Sequence, residues 1–536
     1  MMKKVIKKLL AALLAVAMVC AMAIPAFAGT EGDITTWHSF SAFQIFKGDV
    51  EGNDIKDFKI SNVTWGSNIA DNPAAFLDQL KADSTLGTQF QFIDATDANT
   101  AQKVLEVISK WDDSDANSIA FARFVCHYLY PDANAKPKPA VEGGGGSDHI
   151  HFDEAGYYLV VDTTPFNPGD FDHAYNSFLL MVTHKNWNVP ITPKAEKPSV
   201  KKEVFDNFDN QDGTSTGVFG SSADHAINEK FQFKLTATLP ASTDHAYDYY
   251  DTYAVCFKDT LSEGITYDKL DSVVIKSYNI TDTLKYTINT DNLETQNYFE
   301  VNIPDVKACA KDAGFDLNDG ATITFTYTAH LNEKAYVNIG SGSTDNKNSV
   351  QLKYSNNPRP GDYWGTTPKS EVYVFTYQLN NTKRQNTVDG PALAGAGFKL
   401  YSDAECNNEV GLYQEGEFYY PIKDATGKKA VEMISGENGQ FNVKGLDAGT
   451  YYLKETITPA GYDTCGVTPV TIKADHSGND HVNLEGSNLT IVNKKAGGIT
   501  LPSTGGIGTT IFYVVGGGLM VAAIVLLVTK KRMENK

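Results

Sequence analysis

Residues 321–331 read Ala-Thr-Ile-Thr-Phe-Thr-Tyr-Thr-Ala-His-Leu, a strict two-residue alternation. In a strand, successive side chains point to opposite faces. Ile323, Phe325, Tyr327, Ala329 and Leu331 therefore share one face, with Thr322, Thr324, Thr326 and Thr328 on the other. Phe231, Phe233, Leu235, Ala237 and Leu239 repeat the pattern. Such strands need a second sheet to cover their apolar faces, and this predicts a β-sandwich. The 27 Tyr and 28 Phe of the chain suit strands as well.

The two ends of the chain are not part of that core. Lys3, Lys4, Lys7 and Lys8 precede an apolar run over 9–23, and Ala26-Phe27-Ala28 supplies small residues at a cleavage position. This predicts a secretory signal peptide over 1–28. At the other end, Leu501-Pro502-Ser503-Thr504-Gly505 precedes an apolar run over 511–528, closed by Lys530-Lys531-Arg532. The run has the length of a membrane span, and its basic tail favours the cytoplasmic side. About 470 residues lie between the two signals, room for roughly three domains.

The first predicted domain, 29–191, mixes strands with helices. Asn72 caps a helix that opens with Pro73 and carries Phe76, Leu77 and Leu80 inward. Asn99 opens a second helix, with Gln102 at the capping-box position and Ala101, Val104, Leu105 and Ile108 as its apolar stripe. A third, 119–130, holds Cys126 as a small core residue and stops at Pro131. The Pro- and Gly-rich 136–147 reads as a loop, followed by His149 and His151 on one strand face, better read as a solvated edge than as a metal site. Pro190, Pro193 and Pro198 then hold a joint extended. The second domain is predicted over 199–360, a second joint over 355–367, and the third domain over 370–495.

Composition narrows the function. Asp+Glu number 65 against Lys+Arg 46, a balance that argues against a nucleic-acid partner. The mature chain keeps Cys126, Cys256, Cys309, Cys406 and Cys465, an odd set that argues against a disulfide framework. No G-x-S-x-G and no H-E-x-x-H motif occurs, so a turnover enzyme is disfavoured. Nothing in the sequence calls for a metal or another cofactor.

Strand parity also turns polar residues inward. Lys202 shares a face with Val200 and Val204, Asp259 with Val255 and Phe257, and Asn348 with Val350, Leu352 and Tyr354. In the third domain Lys383 follows Tyr377 and Leu379, Glu455 follows Tyr451 and Leu453, and Asn493 follows Leu489 and Ile491. Each domain thus offers a Lys, a carboxyl and an Asn inside an apolar sandwich, where unpaired charge is costly. Burial favours a neutral amine, which is a nucleophile, and a protonated carboxyl, which donates to the Asn amide oxygen and polarises its carbon. Attack of the amine on the Asn carbon expels ammonia and leaves an isopeptide bond. Lys201 is the outward neighbour of Lys202, and Lys399 competes with Lys383 for the third-domain role.

The sorting motif, span and basic stop resemble the cell-wall sorting signal of Gram-positive surface proteins. Residues 393–401 (Leu-Ala-Gly-Ala-Gly-Phe-Lys-Leu-Tyr) and 445–462, which contain Glu455, resemble the small Ig-like CnaB module with its E-box. Residues 257–264 and 348–352 resemble its isopeptide-forming companion. Together these parts resemble a sortase-assembled backbone pilin of the SpaA type. The resemblance implies tandem Ig-like sandwiches, the first mixed with helices. It implies Lys202–Asn348 and Lys383–Asn493 bonds, with Asp259 and Glu455 as the assisting acids.

The same resemblance implies sortase cleavage between Thr504 and Gly505. The acyl acceptor would be Lys194 in a linker over 192–198, where Thr192-Pro193-Lys194 stands in place of Tyr-Pro-Lys and Lys197 is the other candidate. The implied partners are identical subunits, pilus and housekeeping sortases, accessory pilins and peptidoglycan, with membrane contact only before sorting. The implied role is a wall-anchored fimbrium that supports adhesion. A basal or tip pilin, or a monomeric wall-anchored adhesin, are the alternatives.

Overall fold

The computed structural model describes residues 39–497, apart from 53–57, 112–115, 143–148, 164–178, 191–196, 210–214, 244, 338–345, 361–363 and 476–482. The signal peptide predicted over 1–28, Lys194, the sorting motif over 501–505 and the apolar run over 511–528 lie outside the described residues. Among those described, no helix is long and apolar enough to cross a membrane.

The fold is mainly β, in several stacked sheets. The first sheet orders Lys59–Trp65, Phe40–Glu51, Gly156–Asp162 and Leu179–Thr183 side by side. Every residue of Gly156–Asp162 is buried, because both faces of that strand are covered. Tyr157, Leu159 and Val161 meet the helices Pro73–Ala82, Thr100–Ile108 and Ala116–Leu129. Tyr158 and Val160 meet a small two-stranded sheet of His149–Phe152 paired with Trp187–Pro190.

The helix signals act differently. Asn72 Oδ1 accepts from the Ala75 amide at 3.3 Å and Pro73 takes the first turn, as a cap requires. Asn99 makes no side-chain cap, and Gln102 bonds to Glu106 at 3.2 Å instead of reaching back. Cys126 is fully buried, and burial raises its thiol pKa. His151 bonds to Asn188 at 2.7 Å and lies 3.4 Å from Asp153. No group of three His, Cys, Asp or Glu among the described residues could hold a metal.

Two facing sheets follow. One contains Ser199–Asp209, Lys230–Leu239, Ala321–Leu331 and Ile265–Ile275; the other contains Val255–Leu261, Lys347–Ser355 and Tyr298–Ile303. The alternating strands pair in register, with Phe233 opposite Tyr327, Leu235 opposite Phe325 and Ala237 opposite Ile323. Their apolar faces close one core with Phe257, Val301 and Leu352 of the other sheet.

Ser370–Phe375, read from sequence as the start of the third domain, belongs to this second sheet. It runs antiparallel to Lys347–Ser355, and Val372 and Val374 enter the same core. The preceding joint also folds back, because Trp364–Thr366 pairs with residues 353–355.

The last two sheets enclose Phe398, Phe441, Leu453 and Ile491. One holds Tyr377–Gln385 with Asn488–Asn493 as its parallel neighbour; the other holds Gly397–Tyr401, Gly449–Ile457 and Thr468–Asp475. This unit docks on the preceding one through backbone bonds, Ile227 N to Gly445 O at 2.9 Å and Asp424 N to Asn228 O at 3.1 Å. Gly445 has φ +88, and a Cβ there would collide with Ile227, so the close approach needs a glycine.

Candidate functional site

Two polar centres are sealed inside the two sandwiches. Among the described residues, Lys202 and Lys383 are the two buried lysines. Leaving an ammonium in such a place is unfavourable unless partners surround it, and both have them.

In the second-domain centre, Lys202 projects from one sheet and Asp259 and Asn348 from the facing one. Lys202 Nζ donates to Asp259 Oδ2, and neither side chain is exposed. Tyr327 stands among all three. Its hydroxyl accepts from Lys202 Nζ at 3.3 Å and from Asn348 Nδ2 at 2.5 Å, and donates to Asp259 Oδ1 at 3.1 Å. Among the described residues, Asn348 Oδ1 is buried without a hydrogen-bond partner. Burial pulls the Lys202 amine down to about 8, against the opposing charge of Asp259. Burial also pushes the Asp259 carboxyl up, against the attraction of Lys202. Both shifts favour the neutral pair over the ion pair.

The third-domain centre uses a different layout. Lys383 and Asn493 lie on neighbouring parallel strands, and Glu455 comes from the facing sheet. Lys383 Nζ donates to Asn493 Oδ1 and lies 3.5 Å from Glu455 Oε1. Asn493 Nδ2 donates to Glu455 Oε1 at 2.6 Å, and the other carboxyl oxygen accepts from the Cys465 amide at 2.8 Å. The carboxyl therefore faces the amide nitrogen of Asn493, whereas the sequence reading had it on the amide oxygen. That position suits proton delivery to a departing nitrogen.

Parity thus brings Lys202, Asp259 and Asn348 together, and likewise Lys383, Glu455 and Asn493. The competing lysines face outward. Lys201 is exposed beside Glu203 at 2.7 Å, and Lys399 pairs with Glu409 at 2.9 Å. Two neighbours were missed by the sequence reading. Tyr327 had been counted as core only. Cys465 places its sulfur 3.6 Å from Lys383 Nζ, and burial is the main cause that raises its thiol pKa. Among the described residues, Cys126, Cys256, Cys309, Cys406 and Cys465 are all free. Lys194 lies outside the described residues, while Lys197 beside it is exposed.

Residues 379–494 match the SpaA family model, a prealbumin-like fold domain, and residues 493–535 match the LPXTG cell wall anchor motif. The chain is 29% identical over 198 residues to serine-aspartate repeat-containing protein C of Staphylococcus aureus strain MW2, covering 35% of this chain and 20% of that protein. With the strain Newman protein the identity is 30% over 182 residues, 32% of this chain and 18% of that one. The chain thus spans about a fifth of the length of these curated relatives. Among solved structures, the T6 backbone pilin of Streptococcus pyogenes serotype M6 aligns at TM-score 0.46 and 16% identity, over 87% of this chain and 97% of that one. The major pilin SpaD of Corynebacterium diphtheriae aligns at TM-score 0.41 and 22% identity, over 69% and 88%. The SpaA prealbumin-like domain over 379–494, followed by the LPXTG anchor motif over 493–535, supports a surface-displayed, cell-wall-anchored protein.

Proposed function

We propose that the protein is the backbone subunit of a covalently polymerised pilus, braced inside by Lys202–Asn348 and Lys383–Asn493 amide bonds. One observation carries the bracing. The two buried lysines of the described chain each sit in a sealed cage with a buried carboxyl and a buried Asn.

The chemistry follows from the contacts. Within the third-domain cage a proton passes from Lys383 to Glu455, which leaves a neutral amine beside the Asn493 carboxamide. The amine attacks the carbon, and the Lys nitrogen gives up a proton. Glu455, in contact with Asn493 Nδ2, protonates the nitrogen that leaves as ammonia. The proton given up by the Lys nitrogen passes to Glu455, which returns to a carboxylate when that last proton leaves with the ammonia as ammonium, so the reaction consumes no cofactor and happens once per folded domain. The protein is its own substrate here and does not turn over.

Between subunits, Thr504 becomes the acyl donor on a pilus sortase, and Lys194 of the next subunit accepts it as an amide. A donor at one end and an acceptor between the first two domains make a heterologous contact that does not close, so a filament results. A housekeeping sortase would join its base to peptidoglycan. Denaturing gels of wall extracts test this: a high-mass ladder is expected, and a single monomer band refutes polymerisation.

A further inference from the structure

The second-domain centre differs from the third in how the acid reaches the Asn. Glu455 touches the Asn493 nitrogen directly at 2.6 Å. Asp259 spends its oxygens on Lys202 and on the Tyr327 hydroxyl. It is Tyr327 that touches Asn348 Nδ2, at 2.5 Å. We propose that Tyr327 is a catalytic residue of Lys202–Asn348 bond formation, carrying the proton from Asp259 to the departing nitrogen of Asn348. This rests on the isopeptide reading above.

The position is built for a fixed relay. Tyr327 is fully buried, with its ring 5.2 Å from Phe233, 5.2 Å from Phe299 and 5.6 Å from both Tyr267 and Phe325. Its hydroxyl meets both reacting nitrogens, Lys202 Nζ and Asn348 Nδ2, as well as the acid. Burial holds its ionisation far above neutral pH, so it works as a hydroxyl that gives one proton as it takes another. A hydroxyl has one donor and two acceptor sites, enough for that exchange.

The step balances as follows. With Lys202 neutral and Asp259 protonated, the amine attacks the Asn348 carbon and a C–N bond forms. Tyr327 gives its proton to the amide nitrogen, and the old C–N bond breaks. Ammonia departs, Asp259 refills Tyr327, and the proton lost by the Lys202 nitrogen returns Asp259 to its acid form. The products are one secondary amide and one ammonia.

The test uses Tyr327→Phe, which keeps the ring and removes the hydroxyl. Unbonded ectodomain recovered in denaturant is refolded, and ammonia loss in each domain is followed by mass with peptide mapping. The expected result is a roughly 100-fold slower second-domain bond, the usual scale of one general-acid group, with third-domain bonding unchanged. A second-domain bond that forms at the wild-type rate overturns the relay and leaves the isopeptide reading intact. Wild-type protein that never loses ammonia from this domain overturns both. A second measurement covers a variant that fails to fold: wild-type bonding repeated in heavy water should slow measurably, because protons are in flight, and equal rates overturn the relay.

Discussion

Lys383 and Asn493 face each other across two parallel strands whose register sets Gln385 beside Asn493, two residues beyond the lysine. The amine donates to the carboxamide oxygen, both residues are buried, and 110 positions separate them in the chain. Bonding them would close nearly the whole third domain into one covalent ring.

The first consequence is a mass. Recombinant ectodomain should weigh two ammonia units less than its sequence, one for each centre. Glu455→Ala should restore one unit, and Asp259→Ala the other. An unmodified wild-type mass would falsify the bracing.

A closed ring also restricts the unfolded chain. For a loop of this length the chain-entropy model gives ~4–5 kcal/mol. Asn493→Ala is the cleaner probe, because it leaves Lys383 with its Glu455 partner at 3.5 Å. In a domain of this size the loss should lower the melting temperature by on the order of 20 °C. The variant should also be cut sooner by protease within its third domain, and wild-type stability should resist reductant. Matching melting curves for the two proteins would show that no such ring exists.

Much of both centres was legible because a strand has a period of two. Lys202 and Lys383 appear at inward positions by counting from Val200 and Tyr377, and the structure buries both. Tyr327 escaped because the same count placed it among core aromatics, where its ring indeed lies. The overlooked signal was its hydroxyl, since a buried Tyr needs a polar partner. The register that brings it to Asp259 depends on how two sheets stack, which no local pattern encodes. The Ser370–Phe375 strand was misplaced for a similar reason. Its alternating valines declare a strand, but only pairing with Lys347–Ser355 reveals which core they fill. The orientation of the Asn493 amide was likewise decided by tertiary contacts with Lys383 and Glu455.

The pH dependence of second-domain bonding follows from the paired titration. The reactive pair, neutral Lys202 with protonated Asp259, holds as many protons as the ion pair, so interconversion needs no proton from solvent. The rate should therefore be flat across neutral pH. Above about 8 the lysine loses its proton, Asp259 keeps none to pass on, and the rate should fall. In acid, the pair takes a second proton, on the Asp259 carboxyl, at a pH above the ordinary aspartate range, since burial raises its pKa, and the amine is locked as ammonium. Refolding unbonded protein at a series of pH values, with ammonia loss read by mass, gives the profile. A rate that climbs steadily beyond pH 8 would mean that amine deprotonation alone limits the reaction and that the acid is dispensable.

Polymerisation through Lys194 is the last test. The linker over 192–198 carries Pro193 and Pro198, and Lys197, next to the candidate, is exposed. The amine needs no perturbed pKa, because a sortase thioester is already activated and the enzyme can supply the base. Lys194→Ala, expressed with its pilus sortase, should leave monomers on denaturing gels, while Lys197→Ala should keep the ladder. Removing residues 501–505 should abolish both polymer and wall attachment, because no acyl donor remains. Peptide mapping of the ladder should find Thr504 joined to Lys194. A Thr504–Lys197 junction would move the acceptor by three residues and keep the filament, whereas Lys194→Ala, Lys197→Ala and wild type all running as single bands would leave a wall-anchored monomer.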